Sequence, residues 1–284
     1  MLTITFYGVR GSTPCSCEST RGFGGNTSCV LVDIPGEAPI ICDVGTGARY
    51  LAHDLAERQE TLGESWGSKA TVLLSHLHWD HIQGIPFFRP LLGPDCFIDM
   101  VGPPQLDSGL AEELTRFIQP PAFPISFSEL PGHVRCIEAQ NESITVGSAR
   151  VACFDVPHVG PTNGYRIDRG NGSVAYVSDH QQPRDGSLEP GQAVVDACRD
   201  VDILIHDSQY SPEEFAERST WGHCTVEFAA ELARRARVRR LVLFHHDPTH
   251  DDDWIRAAVS QAQSLLGDNV QVIGAAEGLS LTSG

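Results

Sequence analysis

Three histidines and one aspartate stand together in the stretch Ser75-His76-Leu77-His78-Trp79-Asp80-His81. The preceding run, residues 70–74, is apolar and partly β-branched, which is typical of a buried strand. Because side chains two apart on an extended chain point the same way, His76 and His78 are expected to converge on one point. A helical turn directly after them would direct the aspartate and the third histidine toward a second point. The stretch therefore predicts half of a site for two metal ions, with ligands that suit zinc, manganese or iron.

Composition bounds the class of protein. The chain has 284 residues, 41% of them apolar, and no repeat or long linker divides it, which predicts one domain over residues 1–284. Residues 2–8 alternate like a strand and lack the character of a signal peptide. No apolar run approaches the roughly 20 residues of a membrane span. The nine cysteines are odd in number and scattered, as expected of reduced core residues. We therefore expect a cytoplasmic protein without a membrane partner.

The net charge of −17 bears on the substrate. Proteins that bind long nucleic acid normally carry a basic face, and the densest basic cluster here is residues 234–240. That cluster falls at the end of a predicted helix, where cations complement the helix dipole, so a solvated helix end is favoured over a phosphate-binding patch. We therefore expect a small anionic substrate rather than a long nucleic acid. The oligomeric state stays open, with a homodimer as one arrangement.

Hydrophobic patterns predict many strands in clusters with helices between them, which indicates two sheets covered by helices. The predicted strands cover residues 2–8, 28–34, 39–43, 70–75, 96–101, 133–138, 143–155, 162–167, 173–178, 202–206, 240–244 and 278–282. The predicted helices cover residues 47–58, 105–117, 192–199, 212–218, 224–236 and 253–266.

Further metal ligands are expected where other strand patterns stop. His158, Asp179 and His245 each follow such an apolar run, and strand ends are where α/β proteins commonly place chemistry. A single histidine after a strand is more often structural. Several such positions downstream of one dense histidine motif favour a shared metal site.

These elements resemble the metallo-β-lactamase superfamily, in its H-x-H-x-D-H motif and in the order of the later ligands. The resemblance implies an α/β fold, a four-layer αββα sandwich with two divalent metals, most simply zinc, at one edge. It also implies a first metal held by His76, His78 and His158, a second held by Asp80, His81 and His245, and a bridge by Asp179. True β-lactamases lack that bridging aspartate, which argues against antibiotic hydrolysis.

The segment Trp221-Gly222-His223-Cys224-Thr225 resembles the G-H-S-T element of the ribonuclease Z-like phosphodiesterases, with cysteine in place of serine. In that branch the histidine helps the alkoxide leave. His223 is therefore a candidate proton donor, with Asp207 or Glu227 as its orienting partner. A histidine that caps a helix or fills the core is the alternative.

Residues 159–178 leave no room for the arm with which ribonuclease Z clamps transfer RNA. The short segment, and the glycine-rich residues 8–14 and 24–29, instead resemble phosphoribosyl cyclic phosphodiesterases and cyclic-nucleotide phosphodiesterases. Glycine-rich turns of this kind can place polar groups against phosphate, although they are equally consistent with plain loops. The candidate substrate-binding residues are Arg10, Ser12, Asn26 and Thr27.

The roles of several other cysteines and histidines stay open. Cys15 and Cys17 resemble part of the extra zinc cluster of some phosphoribosyl cyclic phosphodiesterases, but the next cysteine of that cluster is missing. His246 is expected beside the ligands rather than among them, and His250 is expected on the surface. His180 and His206 lie near other predicted strand ends, and no ligand role is predicted for them.

The sequence thus predicts a two-metal phosphodiesterase for a small substrate, such as a cyclic nucleotide or phosphoribosyl cyclic phosphate. A hydroxide bridging the metals would attack phosphorus, with Asp80 and Asp179 positioning it and His223 protonating the departing oxygen. Alternatives on the same scaffold are a thioester or lactone hydrolase and an iron enzyme of oxygen or persulfide chemistry. A non-catalytic, metal-stabilised binding module is the alternative of a different class.

Overall fold

Two β-sheets lie face to face in the computed structural model, which describes residues 1–62 and 68–284. The first sheet contains β1 (Leu2–Gly8), β2 (Cys29–Asp33), β3 (Ile40–Cys42), β4 (Lys69–Leu73), β5 (Phe97–Gly102), β6 (His133–Glu138) and β14 (Ser280–Ser283). The second contains β7 (Glu142–Val146), β8 (Ala149–Asp155), β9 (Asn163–Arg169), β10 (Gly172–Val177), β11 (Ile203–Asp207), β12 (Arg240–Phe244) and β13 (Gln271–Gly274). Their strand orders are β14-β1-β2-β3-β4-β5-β6 and β13-β12-β11-β10-β9-β8-β7.

Helices cover the outer face of each sheet. The helices of the described residues are α1 (Ala48–Leu62), α2 (Trp79–Ile82), α3 (Leu110–Phe117), α4 (Gln192–Ala197), α5 (Pro212–Arg218), α6 (Val226–Ala236) and α7 (Asp252–Leu266). Strand alternation separates the cores: in β10, Val174 and Tyr176 enter the core between the sheets, whereas Ala175 and Val177 pack against the outer helices. Helices α1 and α3 pack on the other outer face. This arrangement confirms the predicted αββα sandwich. Among the described residues, no helix has the length and apolar character needed to span a membrane.

Local turn chemistry explains where the elements differ from the predictions. The run predicted as one strand over 143–155 is a hairpin of β7 and β8, because Gly147, at φ +55°, turns the chain. Helix α3 begins at Leu110, not at 105, because Gly109, the residue directly before it, is extended with ψ 155°. Strand β13 was not predicted, since four residues give too short a pattern to distinguish it from the end of α7.

The basic cluster at the end of α6 is neutralised by acidic neighbours. Arg235 pairs with Glu189 at 2.6 Å and Arg237 pairs with Asp200 at 2.7 Å. Arg239 reaches Asp202 at 3.0 Å. Since these arginines have acidic partners at the protein surface, the cluster fits a solvated helix end. The sequence favours the same interpretation over a phosphate-binding patch.

The parallel parts of the sheets determine where polar side chains gather. Strands β3 to β6 run parallel in one sheet, and β10 to β13 run parallel in the other. The segments that follow β4, β8, β10 and β12 carry the predicted ligands. Ligand sites of α/β sheets form outside the carboxyl ends of the strands, and the same edge is used here.

Candidate metal centre

The predicted ligands converge into overlapping groups at this edge. Donor atoms of every group lie within 4.8 Å of one another. The groups are His76 with His78 and His158; His76 with His81 and Asp179; Asp80 with His81 and His245; and Asp179 with His223 and His245. The first and third groups have the same members as the two predicted ligand sets. Asp179 belongs to the second and fourth groups.

The first set is the more open of the two. Nδ1 of His78 lies 3.2 Å from Nε2 of His158, and the ring of His76 is 4.4 Å and 4.7 Å from these two rings. His76 is buried, but His78 is exposed. A ligand from solvent can therefore approach this set past His78.

The second set is buried. Nε2 of His81 and Nε2 of His245 are 3.2 Å apart, and Oδ2 of Asp80 lies 3.1 Å and 3.0 Å from them. Asp179 lies between the sets, with Oδ1 3.8 Å from Nε2 of both His76 and His158. Its Oδ2 is 3.2 Å from Nε2 of His81. One carboxylate thus faces both groups of imidazoles.

These donors fit divalent metal ions. Two imidazole nitrogens bound to one tetrahedral zinc lie roughly 3.3 Å apart, close to the separations within each set. Nε2 of His76 and Oδ2 of Asp179 are buried without a hydrogen-bond partner. A buried polar atom of this kind needs a partner, and a cation in contact with both groups would supply one.

Outer contacts fix which nitrogen each histidine presents. Nδ1 of His158 is 2.7 Å from the carbonyl of Gly222, and Nδ1 of His245 is 2.8 Å from Oε1 of Gln209. Since both partners are acceptors, each Nδ1 donates its hydrogen, and the lone pair remains on Nε2 facing the cluster. Glycine is required at 222, where a Cβ would stand 2.3 Å from the His158 ring and φ is +99°.

Burial sets the charge states of the first group. It lowers the pKa of His158 to about 4 and places the pKa of His76 well below its usual range. Both imidazoles are therefore neutral at pH 7 and keep a lone pair for a metal. For Asp80, burial alone would raise the pKa, but the imidazoles of His81 and His245 hold it well below the ordinary value. That carboxylate is ionised.

Asp43 is a buried residue of the candidate site that the sequence analysis missed. Its carboxylate accepts hydrogen bonds from the backbone and hydroxyl of Ser75 at 2.7 Å and 2.8 Å, and from the hydroxyl of Tyr176 at 2.7 Å. It also lies 2.7 Å from Nδ1 of His81, which orients that ring. Asp43 follows β3 at φ +57°, a conformation that non-glycine residues rarely adopt. A lone acid after a strand was the only signal in the sequence.

His223 lies beside the cluster, as the sequence predicts. Its Nδ1 is 3.1 Å from Oδ2 of Asp207, and its ring stacks on that of His245 at 5.0 Å. Backbone N–H groups of His180 and Gln209 donate to the Asp207 carboxylate at 3.2 Å and 2.9 Å and fix its position. Of the two predicted partners, Asp207 therefore occupies the orienting position. Glu227 instead accepts a hydrogen bond from Gln261.

The four candidate substrate-binding residues divide sharply. Arg10 is fully buried, and its guanidinium donates to the carbonyls of Gly24, Asp247 and His250. A substrate therefore cannot reach this side chain, contrary to the prediction. Thr27 is also fully buried, and its hydroxyl accepts from the backbone of Thr46.

Asn26 is occupied by protein, since its amide donates to both carboxylate oxygens of Glu277 at 3.1 Å. Ser12 alone is exposed, and its backbone N–H donates to Oδ2 of Asp80 at 2.8 Å. Among the four candidates Ser12 is therefore the one that is exposed, and its segment supports the carboxylate of Asp80.

The remaining open residues lie outside the cluster. Neither Cys15 nor Cys17 belongs to a metal-competent group among the residues the structure describes. His180 and His206 contact each other at 2.9 Å, and His246 contacts the carbonyl of Ala275. The prediction for His250 was wrong: it is buried, because its ring stacks on Trp254 at 3.5 Å and Nε2 contacts Glu214 at 2.7 Å.

Comparisons with known proteins agree with this geometry. The family model described as "Beta-lactamase superfamily domain" matches residues 39–246. Ribonuclease Z of Sulfurisphaera tokodaii is 24% identical over 89% of this chain and 90% of the relative, and ribonuclease Z of Methanosarcina acetivorans is 29% identical over the same shares. The metallo-beta-lactamase fold protein YhfI from Bacillus subtilis superposes with a TM-score of 0.73 at 19% identity, covering 100% of this chain and 99% of that one. The chain is therefore a metal-dependent hydrolase that belongs to the beta-lactamase superfamily.

Proposed function

We propose that this protein is a phosphodiesterase that uses two divalent metal ions, with zinc favoured, to hydrolyse a small phosphodiester such as a cyclic nucleotide or a phosphoribosyl cyclic phosphate. One observation carries the proposal: the carboxylate of Asp179 faces two groups of candidate ligands, and its Oδ1 lies 3.6 Å from Nδ1 of His223. The similarity to proteins named ribonuclease Z supports phosphodiester chemistry.

The ligand sets suit this chemistry. Paired divalent ions held by them would supply Lewis-acid charge for a phosphate and an activated water at neutral pH. Asp80 and Asp179 contribute negative charge that keeps the ions together, and the backbone N–H of Ser12 holds Asp80 in place.

His223 supplies the proton that an alkoxide leaving group needs. With Nδ1 bound to Asp207, the protonated imidazole would donate from Nε2, and the carboxylate would stabilise the charged ring. An alkoxide leaves poorly without such a proton, whereas a thioester or lactone reaction on this scaffold does not depend on it. The Asp207–His223 pair therefore favours the phosphodiester over those alternatives.

The size of the substrate is the finer part of the proposal. Because relatives are named ribonuclease Z, RNA is the competing substrate. That similarity disagrees with the expectation of a small substrate. A small substrate is supported by the net charge of −17 and by the acidic partners of the arginines after α6. It is also supported by the chain between His158 and Asp179, which forms the hairpin of β9 and β10.

A substrate panel tests the proposal. We expect zinc-loaded protein to hydrolyse bis-p-nitrophenyl phosphate and nucleoside 2′,3′-cyclic phosphates, and to lose both activities to a chelator. A transfer RNA precursor with a 3′ trailer and a thioester serve as competitors in the same assay. Faster cleavage of the precursor would replace the small substrate by RNA, and a metal-loaded protein inert toward every phosphodiester would contradict the proposal.

A further inference from the structure

Trp221 is an exposed aromatic residue on a fixed backbone beside the metal centre. Its side chain is 61% exposed, so much of the indole is available for contact with a ligand. The next residue, Gly222, packs against the ring of His158, and the one after it is His223. Trp221 therefore stands two residues before the proposed proton donor, and its neighbour Gly222 lies against a predicted ligand.

Hydrogen bonds hold the backbone on both sides of this indole. The N–H of Trp221 donates to the carbonyl of Arg218 at 2.9 Å. The side chain of Gln181 accepts from the N–H of Gly222 at 2.9 Å and donates to the carbonyl of Ser219 at 3.1 Å. The loop is braced while the ring stays open to solvent. A rigid aromatic surface loses little entropy when it binds a flat partner.

An arginine joins this ring to the proton donor. The guanidinium of Arg218 stands 5.5 Å from the ring centres of both Trp221 and Tyr210, within cation–π range. The ring of Tyr210 meets that of His223 edge-on at 5.7 Å. A chain of contacts thus leads from the exposed indole of Trp221 through Arg218 and the buried ring of Tyr210 to His223. We call Tyr210, Arg218 and Trp221 the aromatic wall.

We propose that Trp221 binds the base of a nucleoside phosphodiester by stacking, so that the substrate is a cyclic nucleotide and not a sugar phosphodiester without a base. This inference rests on the proposed function. Water adds its oxygen to phosphorus, one ribose oxygen departs with a proton from His223, and the proton lost by water passes to solvent. In a cyclic nucleotide one ribose carries both the leaving oxygen and the base, so a base stacked on Trp221 keeps the leaving oxygen near His223, two residues further along the chain.

The wall also offers charge that a nucleotide needs. The protein is strongly acidic, so an anion reaches the site only where local positive charge offsets the net repulsion. Arg218 is partly exposed, and its contact with the carboxylate of Asp247 is long at 3.3 Å. Bases stack on aromatic rings regardless of sequence because every base has a π-face. Purines have a larger ring surface than pyrimidines, so we expect adenine and guanine to bind better, without strict selection among the bases.

Paired substrates test the proposal. Adenosine 2′,3′-cyclic phosphate is compared with the 2,3-cyclic phosphate of methyl β-riboside, which lacks only the base. Loss of one stacking contact corresponds to at least about a fivefold change in affinity. We expect Trp221→Ala to raise KM for the nucleotide about fivefold or more, with kcat and the methyl riboside reaction within twofold of wild type. Trp221→Phe should retain most of the affinity.

Trp79 provides a matched control. It is 66% exposed and follows His78, but it packs edge-on against Phe117 at 5.5 Å and does not belong to the aromatic wall. Trp79→Ala should leave the ratio of kcat/KM for the two substrates unchanged, whatever it does to each rate. An equal loss on both substrates in Trp221→Ala would overturn the proposal, as would wild-type protein that shows no preference for the base.

A binding measurement separates this inference from the proposed function. Quenching of tryptophan fluorescence is recorded with adenosine 5′-phosphate and with ribose 5-phosphate, and neither titration requires hydrolysis. We expect tighter binding of the nucleotide, and loss of that difference in Trp221→Ala. Base-dependent binding without any phosphodiester hydrolysis would contradict only the proposed function. Equal binding of the two ligands by wild-type protein would contradict the role of Trp221.

Discussion

Replacing Asp179 by asparagine is expected to abolish phosphodiester hydrolysis and to reduce the metal content of the protein. The carboxylate of Asp179 lies 3.2 Å to 3.8 Å from imidazole nitrogens of both ligand sets, and it is buried. Asparagine keeps the shape but removes the charge that would hold two cations together. The loss of kcat/KM should exceed the roughly 100-fold that follows from removing an outer contact of a metal ligand. Steady-state rates on bis-p-nitrophenyl phosphate and elemental analysis measure both effects.

Asp168→Asn is the matched control for this variant. Asp168 lies in β9, beside the strand that leads to Asp179, and its carboxylate binds Arg166 rather than an imidazole. Its replacement should leave metal content and rates near wild type. An Asp179→Asn protein that retained two metals and activity within tenfold of wild type would show that this carboxylate does not bridge the ligand sets.

Replacing His223 by alanine is expected to slow hydrolysis by about 10²- to 10⁴-fold when the leaving group is a ribose oxygen. The reason is that an alkoxide needs a proton, which the Asp207–His223 pair is placed to supply. With bis-p-nitrophenyl phosphate the loss should be far smaller, because p-nitrophenolate leaves readily without protonation. The measurement is the ratio of kcat between cyclic nucleotide and aryl ester in the variant and in wild type.

A structural defect would lower both rates together, so the ratio separates proton donation from misfolding or loss of metal. Asp207→Asn should shift the ratio in the same direction, since it weakens the partner of Nδ1 while His223 remains. Glu227→Gln is the control for this variant, because Glu227 binds Gln261 instead. Equal losses on both substrates in His223→Ala would show that His223 supports the site without donating a proton.

The sequence predicted which histidines and aspartates would converge, because the geometry of the first motif is local. A strand that ends before His76 and turns at Trp79 fixes the directions of the side chains that follow, and period-2 alternation needs no knowledge of the rest of the chain. His158 and His245 were found for a related reason: each follows a strand whose carboxyl end faces the same edge.

Contacts between distant segments could not be read in this way. Asp43 is recognised only when Ser75, His81 and Tyr176 are seen around it. Arg10 carries the residue type of a phosphate ligand, but its guanidinium bonds backbone carbonyls that lie more than 230 residues further along the chain. Pattern predicts which side chains share a face, whereas burial of a polar group depends on partners supplied by the whole fold.

Titration of metal-free protein with zinc tests the central claim most directly. The account predicts that hydrolysis of bis-p-nitrophenyl phosphate rises with added zinc and saturates at two equivalents per chain, because the two ligand sets share Asp179 and work together. Calorimetry on the same samples should show the same stoichiometry. Full activity at one equivalent, or two bound equivalents with no hydrolysis of any phosphodiester, would contradict it.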